Sequence, residues 1–206
     1  MYKHIVFDVD GTLIDTEYAI LQSLQKTIKI TTGNIVELND LKFALGITGK
    51  DALGRLNISD TCIPLTLDLW RENMGNFCDT INVFSGITEL LDALKLSGYE
   101  LGIVTSKTKD EIEYDFIRFG IGNYFRTIIC ADDTLEHKPN PAPLIKYMEA
   151  ANISNQDVLY IGDSEYDMKC AQGANIDFAL ACWGSNSRDM KAKYYLEKPS
   201  DVLKVK

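Results

Sequence analysis

The chain has 206 residues, 46% of them hydrophobic and 25% charged, the composition of a water-soluble globular protein with one core and room for one insertion. Lys and Arg number 21 against 30 Asp and Glu, a net charge of -9. That balance repels phosphate backbones and excludes nucleic acid as an expected partner, while no apolar run approaches the roughly 20 residues of a spanning helix, which excludes a membrane.

In chain order, the first apolar run covers residues 5–9 and reads as a buried strand closed by Gly11. Asp8, Asp10 and Asp15 break up this start, which does not read as a signal peptide, so a cytoplasmic location is expected. The next clear strand lies about ninety residues on, far beyond the dozen or so that a simple crossover needs. Residues 16–81 therefore read as an inserted helical domain and residues 1–15 with 82–206 as the core. Within the insertion, Leu21, Leu24 and Ile28 form one helical stripe, Leu41 and Leu45 suggest a second, and residues 65–77 a third, with a loop at 31–34. After it, Ile87, Leu90, Leu91 and Leu94 line one face of a helix that Gly98 can end. A strand at 101–104 follows, then a stripe of Ile112, Phe116 and Phe119 stopped by Gly120, and a strand at 128–131. Pro141 opens a helix through Leu144, Ile145 and Met148, before strands at 158–161 and 178–182. Strands alternating with helices predict an α/β fold with a Rossmann-like, doubly wound parallel sheet. The five cysteines are odd in number, scattered and never spaced C-x-x-C, which points to reduced, mostly buried thiols rather than disulfides or a zinc site.

Ligands in doubly wound sheets sit outside the carboxyl ends of the strands, and polar residues gather there. Asp8 and Asp10 close the first run, Thr105 follows the second, Lys138 lies shortly after the third, and Asp163 follows the fourth with Asp167 four residues on. Asp163 and Asp167 would share a helical face if the helix has begun by Asp163. Paired carboxylates can divide labour, one attacking an electrophile while the other moves protons. Four carboxylates repel one another unless a cation compensates, and Lys138 alone is insufficient. An all-oxygen set suits Mg2+, whereas zinc would want His or Cys and the two histidines, His4 and His137, are not spaced as a ligand pair. An EF-hand reading fails because Thr12, Leu13 and Ala19 stand where its loop needs Asp or Asn, Gly and Glu.

The run Phe7-Asp8-Val9-Asp10-Gly11-Thr12-Leu13 resembles the first motif of the haloacid dehalogenase-like hydrolase superfamily. Thr105 is similar to its second, Lys138-Pro139 to its third and the run from Gly162 to Asp167 to its fourth. The insertion resembles the family's small helical cap, and the most similar subgroup is that of phosphoglycolate phosphatase and β-phosphoglucomutase. The resemblance implies that Asp8 attacks the phosphorus of a small-molecule phosphate monoester to give an aspartyl-phosphate. Asp10 would protonate the leaving alkoxide and then activate water, which asks for a pKa raised above that of Asp8. Mg2+ would be held by the Asp8 carboxylate, the Asp10 carbonyl and Asp163, with Asp167 acting directly or through a neighbour. Gly11, Thr105, Ser106 and Lys138 would bind the phosphoryl group.

Substrate choice would live in the insertion, where Gly46-Ile47-Thr48-Gly49-Lys50 resembles the cap's specificity loop and offers Gly46 and Lys50 to the leaving group. The same loop also reads as a plain helix start, with Thr48 or Gly49 as its cap and Lys50 solvated. Gly49 stands where β-phosphoglucomutase-like members carry an arginine, and Gly162 where they often carry an acid, so a phosphatase is favoured over a phosphomutase. A phosphorylatable receiver domain is opposed by the acceptor's place on the first strand and by the insertion. A monomer or weak homodimer is expected.

Overall fold

A computed structural model describes residues 2–205; Met1 and Lys206, the outer bounds expected for the core domain, lie outside the described residues. The chain runs β1 (His4–Phe7), β2 (Ile14–Asp15), α1 (Glu17–Thr32), α2 (Gly49–Arg55), α3 (Ile63–Gly75), β3 (Asn82–Val83), α4 (Ile87–Leu96), β4 (Glu100–Val104) and a three-residue α5 (Lys109–Glu111). It continues through β5 (Thr127–Ile129), α6 (Ala142–Ala151), β6 (Val158–Gly162), α7 (Glu165–Gly173), β7 (Asp177–Ala181) and β8 (Tyr194–Leu196). Contacts divide it into two compact units, one built from the residues up to Asp15 and from Val83 onward, the other from Thr16–Asn82.

The first unit is a six-stranded parallel sheet in the order β5-β4-β1-β6-β7-β8. Central strands of such sheets are covered on both faces, which is why β4 and β6 read as continuous apolar runs rather than alternating ones. Val6, Val104, Leu144, Tyr147, Tyr160, Phe178 and Leu180 pack in one buried cluster on this sheet. The chain crosses from one side of β1 to the other, and Phe7 pairs with both Ile103 and Ile161. Asp8 therefore leaves the sheet level with Val104 and Gly162, so three polar loops start at one height.

The second unit is helical. Leu21, Leu24 and Ile28 are buried along α1, and Trp70 on α3 donates its indole N–H to the Ser23 hydroxyl at 2.9 Å. Within the first unit, the N–H of Phe84 donates to the Leu13 carbonyl at 3.1 Å, so the chain leaves and returns at adjacent points.

Several expectations are corrected. Leu41 lies in a 3₁₀ segment, Leu38–Ala44, and Leu45 ends it, because two leucines four apart do not by themselves sustain an α-helix. The loop expected at 31–34 starts later: α1 runs through Thr32, and Gly33 closes it in the left-handed region. The stripe at Ile112, Phe116 and Phe119 is no single α-helix but α5, a π turn over Ile112–Phe116 and a 3₁₀ turn over Ile117–Phe119, ending at Gly120 as expected. Ile145 is exposed while Leu144 is buried. Edge strand β8 has too short an apolar pattern to be read from sequence.

Candidate active site

The site is assembled at the carboxyl ends of β1, β4 and β6 together with the loop after β5. Asp8 is 2% exposed, and its N–H is tied to the Ile161 carbonyl at 2.9 Å. Beyond it the chain turns sharply, with the Leu13 and Ile14 N–H groups donating to the Val9 carbonyl at 2.8 and 3.1 Å. The turn needs Gly11, which has φ 72°, and any Cβ there would fall 2.4 Å from the Asp163 carboxylate. The Thr12 hydroxyl donates to Asp163 Oδ1 at 3.1 Å. Asp163 precedes α7 rather than sitting on it: Ser164 is the N-cap, so the helical face shared with Asp167 does not form. The two carboxylates converge instead because one sits just before the helix and the other in its first turn.

Lys138, fully buried, reaches Asp8 Oδ1 at 2.9 Å and Asp167 Oδ1 at 2.7 Å. The Tyr160 hydroxyl lies 2.9 Å from both Asp167 Oδ1 and the Val104 carbonyl, and 3.3 Å from the Lys138 ammonium. The other Asp167 oxygen accepts from the Ser164 hydroxyl at 2.5 Å and the Ser164 N–H at 3.1 Å, closing a capping box. Gly162 is required by this packing, since a Cβ there would come within 2.5 Å of the Asp167 Cγ. Thr105 is buried with its hydroxyl accepting from the Lys107 N–H at 3.2 Å, and Ser106 follows it in the same half-buried loop.

Burial pushes the Asp8 carboxyl up to about 7; Lys138 pulls it down, while Asp167 and Asp10 add to the rise. Burial again, then the charges of Asp167 and Asp8, push Asp163 well above the usual carboxylate range, although the residue as a whole keeps some exposure. Burial opposes the charge on Lys138, but Asp167 and Asp8 hold its pKa above the ordinary lysine value. Asp8, Asp163 and Asp167 each place one oxygen within 4.8 Å of the others. Three carboxylates, two of them on the one Lys138 ammonium, leave an excess of negative charge in a mostly buried cluster, and the donors are all oxygen. The residues fit a hard divalent cation such as Mg2+. The Asp10 carboxylate stands apart from this group, with its Oδ1 3.4 Å from Lys107.

The structure thus brings Asp8, Asp163, Asp167 and Lys138 into one cluster at the strand ends where Asp10, Gly11 and Thr105 also lie. Gly46 and Lys50 belong to the helical unit, where Gly46 has φ 86° and Lys50 is exposed in the first turn of α2. Thr48 caps that helix, accepting from the Asp51 N–H at 3.2 Å. At Gly49 a Cβ would lie 2.8 Å from the tip of the Leu67 side chain, a contact that a small movement of that flexible chain relieves. Sequence reasoning missed Lys107, Asp115, Tyr160 and Ser164. Tyr160 is hidden inside an apolar strand, and Asp115 inside a helical stripe whose register the π turn alters. Lys107, two residues past Thr105, was within reach of a rule that examined every strand end for cations.

The family model described as haloacid dehalogenase-like hydrolase matches residues 5–181. Among curated relatives, the pyrophosphatase PpaX of Bacillus mycoides (strain KBAB4) is 26% identical over 206 residues, which cover 98% of this chain and 95% of the relative. PpaX of Bacillus velezensis is 28% identical, with 98% and 94% covered. Among solved structures, a Lactobacillus plantarum protein provisionally named phosphoglycolate phosphatase is similar with a TM-score of 0.90 at 32% identity, covering 99% of each chain. A Bacteroides fragilis protein provisionally named haloacid dehalogenase-like hydrolase shares the fold at 21% identity, with a TM-score of 0.89 and 98% and 100% covered.

Proposed function

Because the chain belongs to the haloacid dehalogenase-like hydrolases, and its relatives there are phosphatases and pyrophosphatases, we propose that it is a Mg2+-dependent phosphatase of small phosphate esters working through an aspartyl-phosphate on Asp8. The observation that carries the reading is the buried Asp8 carboxylate, oriented by Lys138 at 2.9 Å beside Asp163 and Asp167. The Asp8 carboxylate, the Asp10 carbonyl and Asp163 would hold the cation, with Asp167 engaged through Lys138 and Ser164. Its chemistry there would be to neutralise phosphoryl oxygens that otherwise repel the attacking carboxylate.

The rest belongs to the chain itself. Lys138 fixes the Asp8 rotamer and, with Thr105, Ser106 and the Gly11 turn, holds the phosphoryl oxygens as charge develops on them. An Asp8 oxygen attacks phosphorus, and the bond to the leaving oxygen breaks as Asp10 delivers its proton. Asp10, now ionised, takes a proton from water as that water attacks the aspartyl-phosphate, releasing phosphate and restoring Asp8.

The relatives' names suggest 2-phosphoglycolate among the esters and also pyrophosphate, an anhydride that the same chemistry at phosphorus would cleave. They differ in what they ask of Asp10: phosphate leaves readily as an anion, whereas an alkoxide needs its proton. The helical unit, through Gly46 and Lys50, is the place to look for selection between them. Glycine at position 49, where β-phosphoglucomutase-like proteins carry an arginine, opposes the phosphomutase alternative.

The test is hydrolysis of p-nitrophenyl phosphate with Mg2+, followed by borohydride trapping and peptide mapping of the acyl-phosphate. Asp8→Asn is expected to lose turnover by at least about 10³-fold and to trap nothing, and EDTA is expected to stop the wild type until Mg2+ is returned. Turnover by the variant near the wild-type rate would refute the nucleophile.

A further inference from the structure

Lys107 and Asp115 are both buried and take no part in the chemistry above. The Lys107 ammonium lies 2.7 Å from Asp115 Oδ2 and 3.4 Å from Asp10 Oδ1. Its backbone is held at both ends of the residue, the N–H by the Thr105 hydroxyl at 3.2 Å and the carbonyl by the Ala131 N–H at 2.8 Å. Asp10 Oδ1 is itself buried and has no hydrogen-bond partner, so the approach of Lys107 is what constrains that carboxylate. Buried ion pairs are seldom retained for stability, since an apolar pair of similar volume does as well or better. Asp115 reaches Lys107 from a π turn, a rare local geometry that recurs at functional sites, and it interrupts the buried stripe between Ile112 and Phe116.

We propose that Lys107, clamped by Asp115, is a positioning residue that aims the Asp10 carboxylate for its proton transfers. The inference rests on the reading of Asp10 as acid and base given above. Contact through one oxygen, at a distance longer than a hydrogen bond, restrains the carboxylate while leaving the other oxygen for the proton. Asp115, at 2.7 Å, holds the ammonium in place beside Asp10.

The experiment compares kcat/KM on glycerol 2-phosphate, a poor leaving group, with that on 2,4-dinitrophenyl phosphate, which needs no acid, for wild type, Asp10→Asn, Lys107→Met and Asp115→Asn. With Lys107→Met, a loss of about tenfold to a hundredfold is expected on the alkyl ester and under about threefold on the aryl ester, with KM little changed. Loss by the same factor on both substrates would overturn the proposal, as would no loss on either. Asp10→Asn separates the layers: if it too slows both substrates equally, the acid role of Asp10 falls. If it is selective and Lys107→Met is not, only the positioning role falls. Should Lys107→Met lack a cooperative melt, Asp115→Asn, which keeps the shape and removes the clamp, carries the same two outcomes.

Discussion

Asp8 is held at a cost that its neighbours only partly relieve. Burial raises its pKa to about 7 in the folded chain, and Asp163 moves the same way, whereas an unfolded aspartate titrates near 3.9. The folded chain thus keeps a proton that the unfolded chain has already shed. The contribution is fully present below about pH 4 and is lost as pH rises through about 7. A divalent cation held by these carboxylates would favour the ionised form and recover the lost stability. In EDTA the melting temperature is therefore expected to fall between pH 5 and pH 8, and Mg2+ to raise it more at pH 8 than at pH 5. Asp8→Asn should flatten the dependence; equal stabilisation by Mg2+ at both pH values would contradict the burial argument. The acids at strand ends were legible in sequence because their positions follow from where apolar runs stop. Their supports were not: Tyr160 looks like core, and Ser164 looks like a mere cap until its hydroxyl is seen on Asp167.

At the scale of elements, the start of α7 does two jobs with one set of bonds. Ser164 accepts from the Asp167 N–H at 3.2 Å as an N-cap and donates to the Asp167 carboxylate at 2.5 Å. Ser164→Ala is expected to cost about 1 kcal/mol in urea unfolding, the ordinary value of a cap. It should also cost activity, because Asp167 would lose two constraints on its grip of Lys138. A stability loss with unchanged kcat/KM would show that Lys138, the Tyr160 hydroxyl and the Ser164 N–H are enough to orient Asp167. Gly162→Ala attacks the same contact from below, driving a methyl to within 2.5 Å of the Asp167 Cγ. It should cost about 1–3 kcal/mol as an overpacked site. The central strands were readable because they are apolar without interruption. Their boundaries shifted by a residue or two because backbone pairing, which sequence does not display, decides where a ladder ends. The Leu41–Leu45 stripe failed for a related reason: spacing alone cannot separate one α turn from a 3₁₀ segment, and the π turn at Ile112–Phe116 changes register inside a pattern that looks regular.

Taken whole, the molecule interrupts its first strand-to-strand connection without disturbing the sheet. The insertion was legible from distance alone, since no crossover needs so long a chain. Its internal helices were partly legible, because α1 and α3 show apolar stripes while α2 is short. The chain leaves and returns at bonded neighbours, Leu13 and Phe84, so closing the gap with a short turn asks little of the backbone. All of the buried cluster on Val6, Val104, Tyr160 and Phe178 lies in the first unit, as do the acids and Lys138. Replacing residues 16–82 by a two- to four-residue Asn-Gly turn is therefore expected to leave a sheet that unfolds cooperatively and binds Mg2+. Activity on p-nitrophenyl phosphate should survive at a reduced kcat, while the preference among metabolites of differing leaving group should collapse. Retention of the full-length preference by the shortened chain would move selection into the sheet's own loops. A shortened chain that melts without cooperativity would show that the first unit does not fold without residues 16–82.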